Sequence, residues 1–558
     1  MYTQDFDPVS DSLALTSIFA ALPLITLFVL LGGVKMKAQW AALISLGVAM
    51  VVALAVYGMP FGQTALSATE GAAFGLFPIM WIVVTAIWVY NMTVESGHFA
   101  VLRRSFGAIS EDQRIQAVIV AFCFGALLEA LAGFGTPVAI SAVMLIALGF
   151  KPIKAASIAL VANTAPVAFG AIAIPITTLG EVTGLDKADL GAMVGRQTPF
   201  LALVVPLILI GMVDGRRGIR QTWPVAVIGG IAFALAQFAC SNYISVELTD
   251  IVASLISTGA IVLFLRVWTP GEPLIADATG RYERPAVAGG SVNDPVMEKE
   301  IARRDDTKKD PPLDVVRAYA PYLIIIAVFS IAQIGPIKDW MAESPWTTTF
   351  EWPGLDVRSP DGEPLMSLTY NLNWLPAAGT LMLISGLITM AVLGLSPGRA
   401  LKVFGNTLDQ LKWAIVTVAA VLALAYVMNQ SGQTITLGLW AAGAGGFFAF
   451  LSALIGWLGV AVTGSDTSSN ALFGALQVTA ARDAGISETL LAAANSSGGV
   501  LGKMISPQNL AIGAAAVGLA GNEGDLFRKV LGWSLVLILA MCILVYLQST
   551  PVLEWMVV

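Results

Sequence analysis

Apolar stretches of about 20 residues, the length that crosses a bilayer, recur along almost the whole chain. They lie near Leu13–Leu31, Trp40–Tyr57, Phe74–Tyr90, Ala155–Leu179, Phe200–Val213, Val225–Cys240 and Ile251–Val267. After a polar stretch they resume near Ala320–Ile334, Trp374–Leu395, Trp413–Val427, Leu490–Leu519 and Val530–Leu547. The pattern predicts an all-α polytopic membrane protein with about 12 transmembrane helices. The first run follows an acidic leader without Lys or Arg, so it reads as a retained helix rather than a secretory signal.

Two longer segments do not fit single crossings. Lys and Arg in short loops mark the cytoplasmic side. Here they gather at Lys35 and Lys37, at Arg103, Arg104 and Arg114, at Lys151 and Lys154, at Arg216, Arg217 and Arg220, at Arg399 and Lys402, and at Arg528 and Lys529. The poorly basic connections Gly58–Gly71, Gly180–Gly195 and Ser241–Asp250 alternate with them, as expected if the N-terminus lies outside. Under this scheme Ile115–Phe150 starts and ends inside, and Gly438–Ala480 starts and ends outside. Each predicts a re-entrant helical hairpin. The turn of the first holds Glu129, Gly133, Gly135, Thr136 and Pro137, and that of the second runs Thr463-Gly-Ser-Asp-Thr-Ser-Ser-Asn470.

The two halves also repeat one another. Gly133 and Thr136 are spaced like Gly464 and Thr467. Asn163, Gly170 and Pro175 are spaced like Asn495, Gly502 and Pro507. With an odd number of crossings per half, these become two inverted-topology repeats. Residues 1–214 form the first, with its hairpin near 115–150, and 215–268 form two connecting helices. Residues 269–317 form a cytoplasmic loop. Residues 318–558 form the second repeat, with an outer loop near 336–373 and a hairpin near 438–480. Paired, Gly/Pro-broken segments in inverted repeats point to a transporter site near the midplane.

Composition agrees with a membrane protein: of 558 residues, 57% are hydrophobic and 12% charged, against about 25% charged in soluble domains. Mean hydropathy is +0.79. The three Cys have no metal-ligand spacing, no P-loop is present, and no basic face suggests nucleic acid. The chain therefore reads as no enzyme and calls for no cofactor or metal. The only His, His98, sits beside Arg103 and Arg104, so carboxylates must carry any protons.

The hairpin tips are where binding chemistry is expected. A broken helix offers unpaired N–H groups and a positive dipole end, an anion site that needs no side-chain charge. Gly133, Gly135, Thr136, Ser465, Thr467, Ser468 and Asn470 would surround a carboxylate and a hydroxyl. Asn163, Thr164, Asn495 and Ser496 on the following helices would complete the pocket. Glu129, Asp466 and Lys503 are charges deep in apolar context, which is costly unless they face a partner or a wet cavity. Lys503 has three candidate partners: a substrate carboxylate, Asp466 or Glu129. Either carboxylate is a candidate proton carrier, and a permanent salt bridge is the structural alternative. Phe134 and Phe473 are candidates to border a substrate methyl, or packing. Arg196, Glu181 and Glu70 fall near predicted helix ends and read as interfacial.

Four stretches resemble the L-lactate permease family of bacteria: Phe122–Ile140, Asn163–Gly170, Gly464–Phe473 and Gly502–Gln508. The resemblance covers essentially the whole chain. It implies proton-coupled uptake of L-lactate, D-lactate and glycolate across the cytoplasmic (inner) membrane. It also implies kinship with transporters that move hairpins by an elevator motion. The partners are then a small carboxylate, protons and the lipid bilayer, with a homodimer as one allowed assembly. Sodium coupling, a passive carboxylate channel and a membrane-bound sensor are the alternatives, although no signalling domain is visible.

Overall fold

The computed structural model describes residues 1–558 apart from 35, 108, 132, 134, 275–309, 333, 361, 366–367 and 520–521. Most of the predicted loop 269–317, and Phe134, lie outside the described residues. Among those described, nine helices are long and apolar enough to cross a membrane. The bent pair Pro152–Ala162 and Val167–Thr183 brings the number to ten. The expected 12 is not reached by this measure. One of the nine, Lys187–Tyr243, contains a chain reversal at Asp214–Gly215, where Gly215 has φ 58°. Beyond the turn, a side chain at Gly230 would strike the backbone of Ala202 and Leu203, so the two limbs run back to back. Large apolar side chains left exposed, among them Val51, Leu235, Leu263 and Val536, give the exterior an apolar surface for lipid.

Small residues let these helices touch. Gly71 and Gly75 meet the backbone of Leu422 and Ala419 on the long helix Pro397–Ser431. Gly498 and Gly502 meet the carbonyls of Ala453 and Trp457 on Phe448–Thr463. Both pairs have the four-residue spacing that presents one small face to a partner helix.

Both expected hairpins fold back on themselves. The first descends through Gln113–Leu131, turns at Gly133 (φ 47°) and Gly135 (φ 83°), and returns along Thr136–Ala147. Its ends meet, since Gln113 Nε2 donates to the Leu148 carbonyl at 3.0 Å. Left-handed backbone suits glycine because it has no Cβ. The second descends through Phe448–Thr463, turns at Gly464 (φ 76°) and returns along Asp466–Asp483. Its descending arm starts near Gly445, because Gly438 still belongs to the preceding helix Gln433–Ala442.

Several expected loops are ordered. Gly58–Gly71 is mostly the helix Phe61–Phe74, and Gly180–Gly195 contains the helix Lys187–Val194. Glu70, expected at an interface, is fully buried and accepts from Gln430 Nε2 at 2.6 Å. The outer loop carries an antiparallel strand pair, Thr348–Glu351 with Thr369–Leu372. It also carries a short strand, Val357–Arg358, that pairs with Tyr2–Thr3.

A buried clamp closes the base of the first hairpin. The Arg114 side chain is inaccessible and binds Asp112 at 2.7 Å, Asp214 at 3.2 Å and the Glu272 carbonyl at 2.6 Å. The Leu274 amide donates to Asp112 at 3.0 Å. Burial pushes the Asp112 carboxyl up, but hydrogen bonds from the Arg114 guanidinium and two backbone amides outweigh it and hold it below its usual range. The clamp therefore stabilises the fold above the ordinary carboxyl value of 3.8 and is lost as pH falls below it. Arg114→Met is expected to leave Asp112 uncompensated and to speed hydrogen exchange at Leu274 at neutral pH. Unchanged exchange there would mean that other contacts hold this segment.

Candidate functional site

The first broken span stops being helical at Asn163 and resumes after Ala171–Ala173, which take left-handed backbone with φ 44–59°. The second runs as Glu488–Gly502, narrows to a 3-10 turn at Lys503–Ile505, and resumes at Pro507. The irregular residues Ala171–Ala173 and Lys503–Ile505 stand at the same offset from Asn163 and Asn495. Hairpins and broken spans cross-pack between halves. Asp466–Asp483 lies along Gly170–Thr183, and Thr136–Ala147 lies along Pro507–Ala516.

Between these elements lies a cavity of about 260 Å³. That is below the roughly 300–1,000 Å³ of pockets for drug-sized ligands. Glu129, Gly133, Ser465, Asp466, Thr467, Ser468 and Lys503 line it. The half-exposed Trp413 stands at its rim, 6.5 Å from the ring of Trp40.

Its electrostatic centre is an ion pair from opposite halves. Lys503 Nζ meets Glu129 Oε1 at 2.6 Å, with both side chains less than a tenth exposed. Asn163 Nδ2 donates to the other Glu129 oxygen at 3.1 Å. Gly170 makes room for this carboxylate, since a Cβ there would lie 2.8 Å from Oε1. Of the three partners open to Lys503, the structure pairs it with Glu129. Asp466 is held differently: Ser496 Oγ donates to Oδ2 at 2.5 Å, while the buried Oδ1 has no hydrogen-bond partner among the described residues.

The second hairpin tip is a capped helix N-terminus at the cavity wall. Ser465 caps the helix by accepting from the Ser468 amide at 3.2 Å, which leaves the Asp466 and Thr467 amides unused by the cap. The first tip does not mirror it. Gly133 reaches the cavity, but Gly135 packs on Ile512 and Asn509, and neither it nor Thr136 lines the cavity. The Thr164 hydroxyl bonds back to Val161. Asn470 and Asn495 form a brace behind the wall: Asn470 donates to the Pro175 carbonyl at 3.0 Å, and Asn495 donates to Asn470 at 2.9 Å. Phe473 packs against Phe28, with centroids 6.2 Å apart, and away from the cavity. Gln39, Thr417, Trp413 and Gln508 line the cavity without having been singled out. None of the four is itself a charge or a turn residue, although Gln508 closes the stretch Gly502–Gln508 and Trp413 follows Lys412.

A model of the L-lactate permease family matches residues 16–552. The chain belongs to the L-lactate permease family. The glycolate permease GlcA of Escherichia coli K12 is 41% identical over 98% of both chains. The L-lactate permease of the same organism is 41% identical over the whole of both. Among solved structures, MtrF of Neisseria gonorrhoeae aligns over 96% of this chain and 94% of its own, with 15% identity and a TM-score of 0.45. Family membership makes this chain a multi-pass membrane permease rather than an enzyme, and the cavity is read as a transport site.

Proposed function

We propose that this lactate permease family member imports L-lactate, and with it D-lactate and glycolate, by proton symport across the bacterial inner membrane. The observation that carries the reading is the Glu129–Lys503 pair in the cavity wall. The empty pair is neutral. A substrate carboxylate that takes Lys503 displaces Glu129 and leaves a net negative charge at membrane depth, which is costly. A proton on Glu129 restores neutrality, so empty and fully loaded sites carry the same charge. One proton then travels with each anion without any separate gate. The Ser465, Thr467 and Ser468 end of the second hairpin supplies hydroxyls and amides for the substrate's oxygens, and Val167 and Ile174 line an apolar side for the methyl.

Several features support an elevator motion of inverted repeats. Both hairpins and both broken spans pack on each other, and the cavity lies where they meet the helices Ala38–Ala55 and Pro397–Ser431. Lys37, in one of the basic connections, adjoins the cavity residue Ala38, which supports a cavity that faces inward. Sodium coupling is the second reading, favoured by an Asp466 oxygen that has no hydrogen-bond partner among the described residues, in a cavity that Ser465 and Ser468 also line.

Purified protein in sodium-free proteoliposomes with an imposed inward proton gradient separates these readings. Labelled L-lactate is expected to accumulate above equilibrium, less so in Asp466→Asn, and a protonophore should abolish it. Mere equilibration would make the protein a uniporter or channel. Uptake that appears only with added Na⁺ would replace the proton with sodium.

A further inference from the structure

Behind the first broken span lies a carboxyl that this cycle does not use. Asp250 begins the helix Thr249–Phe264 and is completely buried. That helix packs on Gly125–Leu131, the segment that carries Glu129. Asp250 Oδ1 accepts from Gln237 Nε2 at 2.9 Å, and Oδ2 has no hydrogen-bond partner among the described residues. No ion pair to Asp250 occurs among those residues either. Lys187 is engaged by Glu247, three residues before Asp250.

Gln237 connects this carboxyl to the break. Its Oε1 accepts from the Thr198 hydroxyl at 3.2 Å, which fixes the amide so that Nε2 points at Asp250. The same Nε2 reaches the Ala165 carbonyl at 3.4 Å. Ala165 lies in the unwound turn two residues after Asn163, whose amide holds Glu129. A track of polar groups therefore runs from Asp250 through Gln237 and the broken backbone to the Glu129–Lys503 pair.

A purely structural acceptor for Gln237 would not need a charge. An Asn oxygen would accept the same bond without the cost of an ionisable group at membrane depth. The spare Oδ2 is where a proton binds. On protonation one O–H forms there and one negative charge disappears; release reverses this, and no other bond changes. Among the described residues, the ionisable groups in electrostatic contact with Asp250 are Glu129 on the hairpin and Cys240 on the Gln237 helix.

We infer that Asp250 is a second proton-handling carboxyl of the transport cycle, linked to the Glu129–Lys503 pair through Gln237 and the broken backbone at Ala165. The inference rests on the proton-symport reading.

The test compares two assays of full-length protein in proteoliposomes: lactate accumulation driven by a proton gradient, and lactate–lactate exchange at equal pH. Exchange needs no net proton movement. Asp250→Asn, which keeps an acceptor for Gln237, is expected to lose accumulation down to the equilibrium level while exchange continues. Equal loss of both in folded protein would make Asp250 structural and overturn the inference. Wild-type accumulation in Asp250→Asn would also overturn it and leave symport intact. If the wild type itself fails to accumulate lactate on a proton gradient, the symport reading falls and takes this inference with it. Should Asp250→Asn not fold, Asp250→Glu keeps the ionisable group, and the pH profile of accumulation is expected to shift. An unshifted profile would count against the inference.

Discussion

Lys503→Gln is expected to abolish lactate uptake and to destabilise the protein, whereas adding Glu129→Gln restores the stability without the uptake. Removing one member of a buried ion pair typically costs about 3–5 kcal/mol, because the remaining charge stays uncompensated. In Lys503→Gln the Glu129 carboxylate keeps only the Asn163 amide and whatever the new Gln side chain can donate. In the double variant two neutral amides face each other, and neither position of the pair leaves a charge uncompensated. The coupling between the two sites should therefore offset most of the single-mutant losses, as expected for residues in direct contact. Transport behaves differently. The double variant has no cation for the substrate carboxylate and no Glu129 carboxyl to take the proton that the anion displaces. Thermal unfolding of the detergent-solubilised protein and uptake into proteoliposomes read the two effects separately. A double variant no more stable than Lys503→Gln would show that the pair does not dominate the local energetics. Normal uptake by Lys503→Gln would remove Lys503 from the substrate site.

The chemistry of this centre could be read from the chain because each part leaves a mark. Glu129, Asp466 and Lys503 stand out as charges in apolar surroundings, and Gly133 and Gly464 as turn residues beside them. The sequence left open which of three partners Lys503 takes, since that depends on how the two halves meet. The same dependence hid Gln39, Thr417 and Gln508, which become lining only once the hairpins are in place. The crossings were legible where a run is uniformly apolar. Helical segments were missed where polar side chains satisfy themselves. Phe61–Phe74 contains Gln63, Thr64, Ser67, Thr69 and Glu70, and its composition reads as a loop. In the fold Thr64 and Ser67 bond back to carbonyls four residues earlier, and one Glu70 oxygen accepts from Gln430, so a segment of loop-like composition forms a partly buried helix. Likewise the turn at Asp214–Gly215 is so short that a basic loop was expected where Arg216, Arg217 and Arg220 already belong to a helix. The symmetry of spacing between halves overstated the symmetry of the site: Gly133 and Gly464 both border the cavity, but Thr467 lines it while its counterpart Thr136 does not.

The contact most sensitive to a single methyl is expected to be Gly456. A Cβ at this position would lie 1.9 Å from the Asn495 carbonyl oxygen and within 2.8 Å of its Cα. These are backbone atoms of the neighbouring helix, so no side-chain rotation relieves the clash, and Phe448–Thr463 must separate from Glu488–Gly502. Overpacking of this kind typically costs about 1–3 kcal/mol, and more where backbone must move. The functional loss should exceed the stability loss. Asn495 also donates to Asn470, and the adjacent Ser496 donates to Asp466 at 2.5 Å, so separating the helices disturbs the wall of the transport cavity. Gly47 supplies the contrast. It lies inside the helix Ala38–Ala55 with nothing within 4 Å of an added Cβ, and Ala there should stabilise by roughly 0.5–1 kcal/mol through its better helix propensity. Gly456→Ala is thus expected to lower the unfolding temperature and eliminate uptake, while Gly47→Ala raises the temperature slightly and transports normally. Equal stability of the two variants would mean that the helices do not approach this closely in the membrane. In that case Asn495 and Ser496 would have to be held in register by something other than the glycine seam.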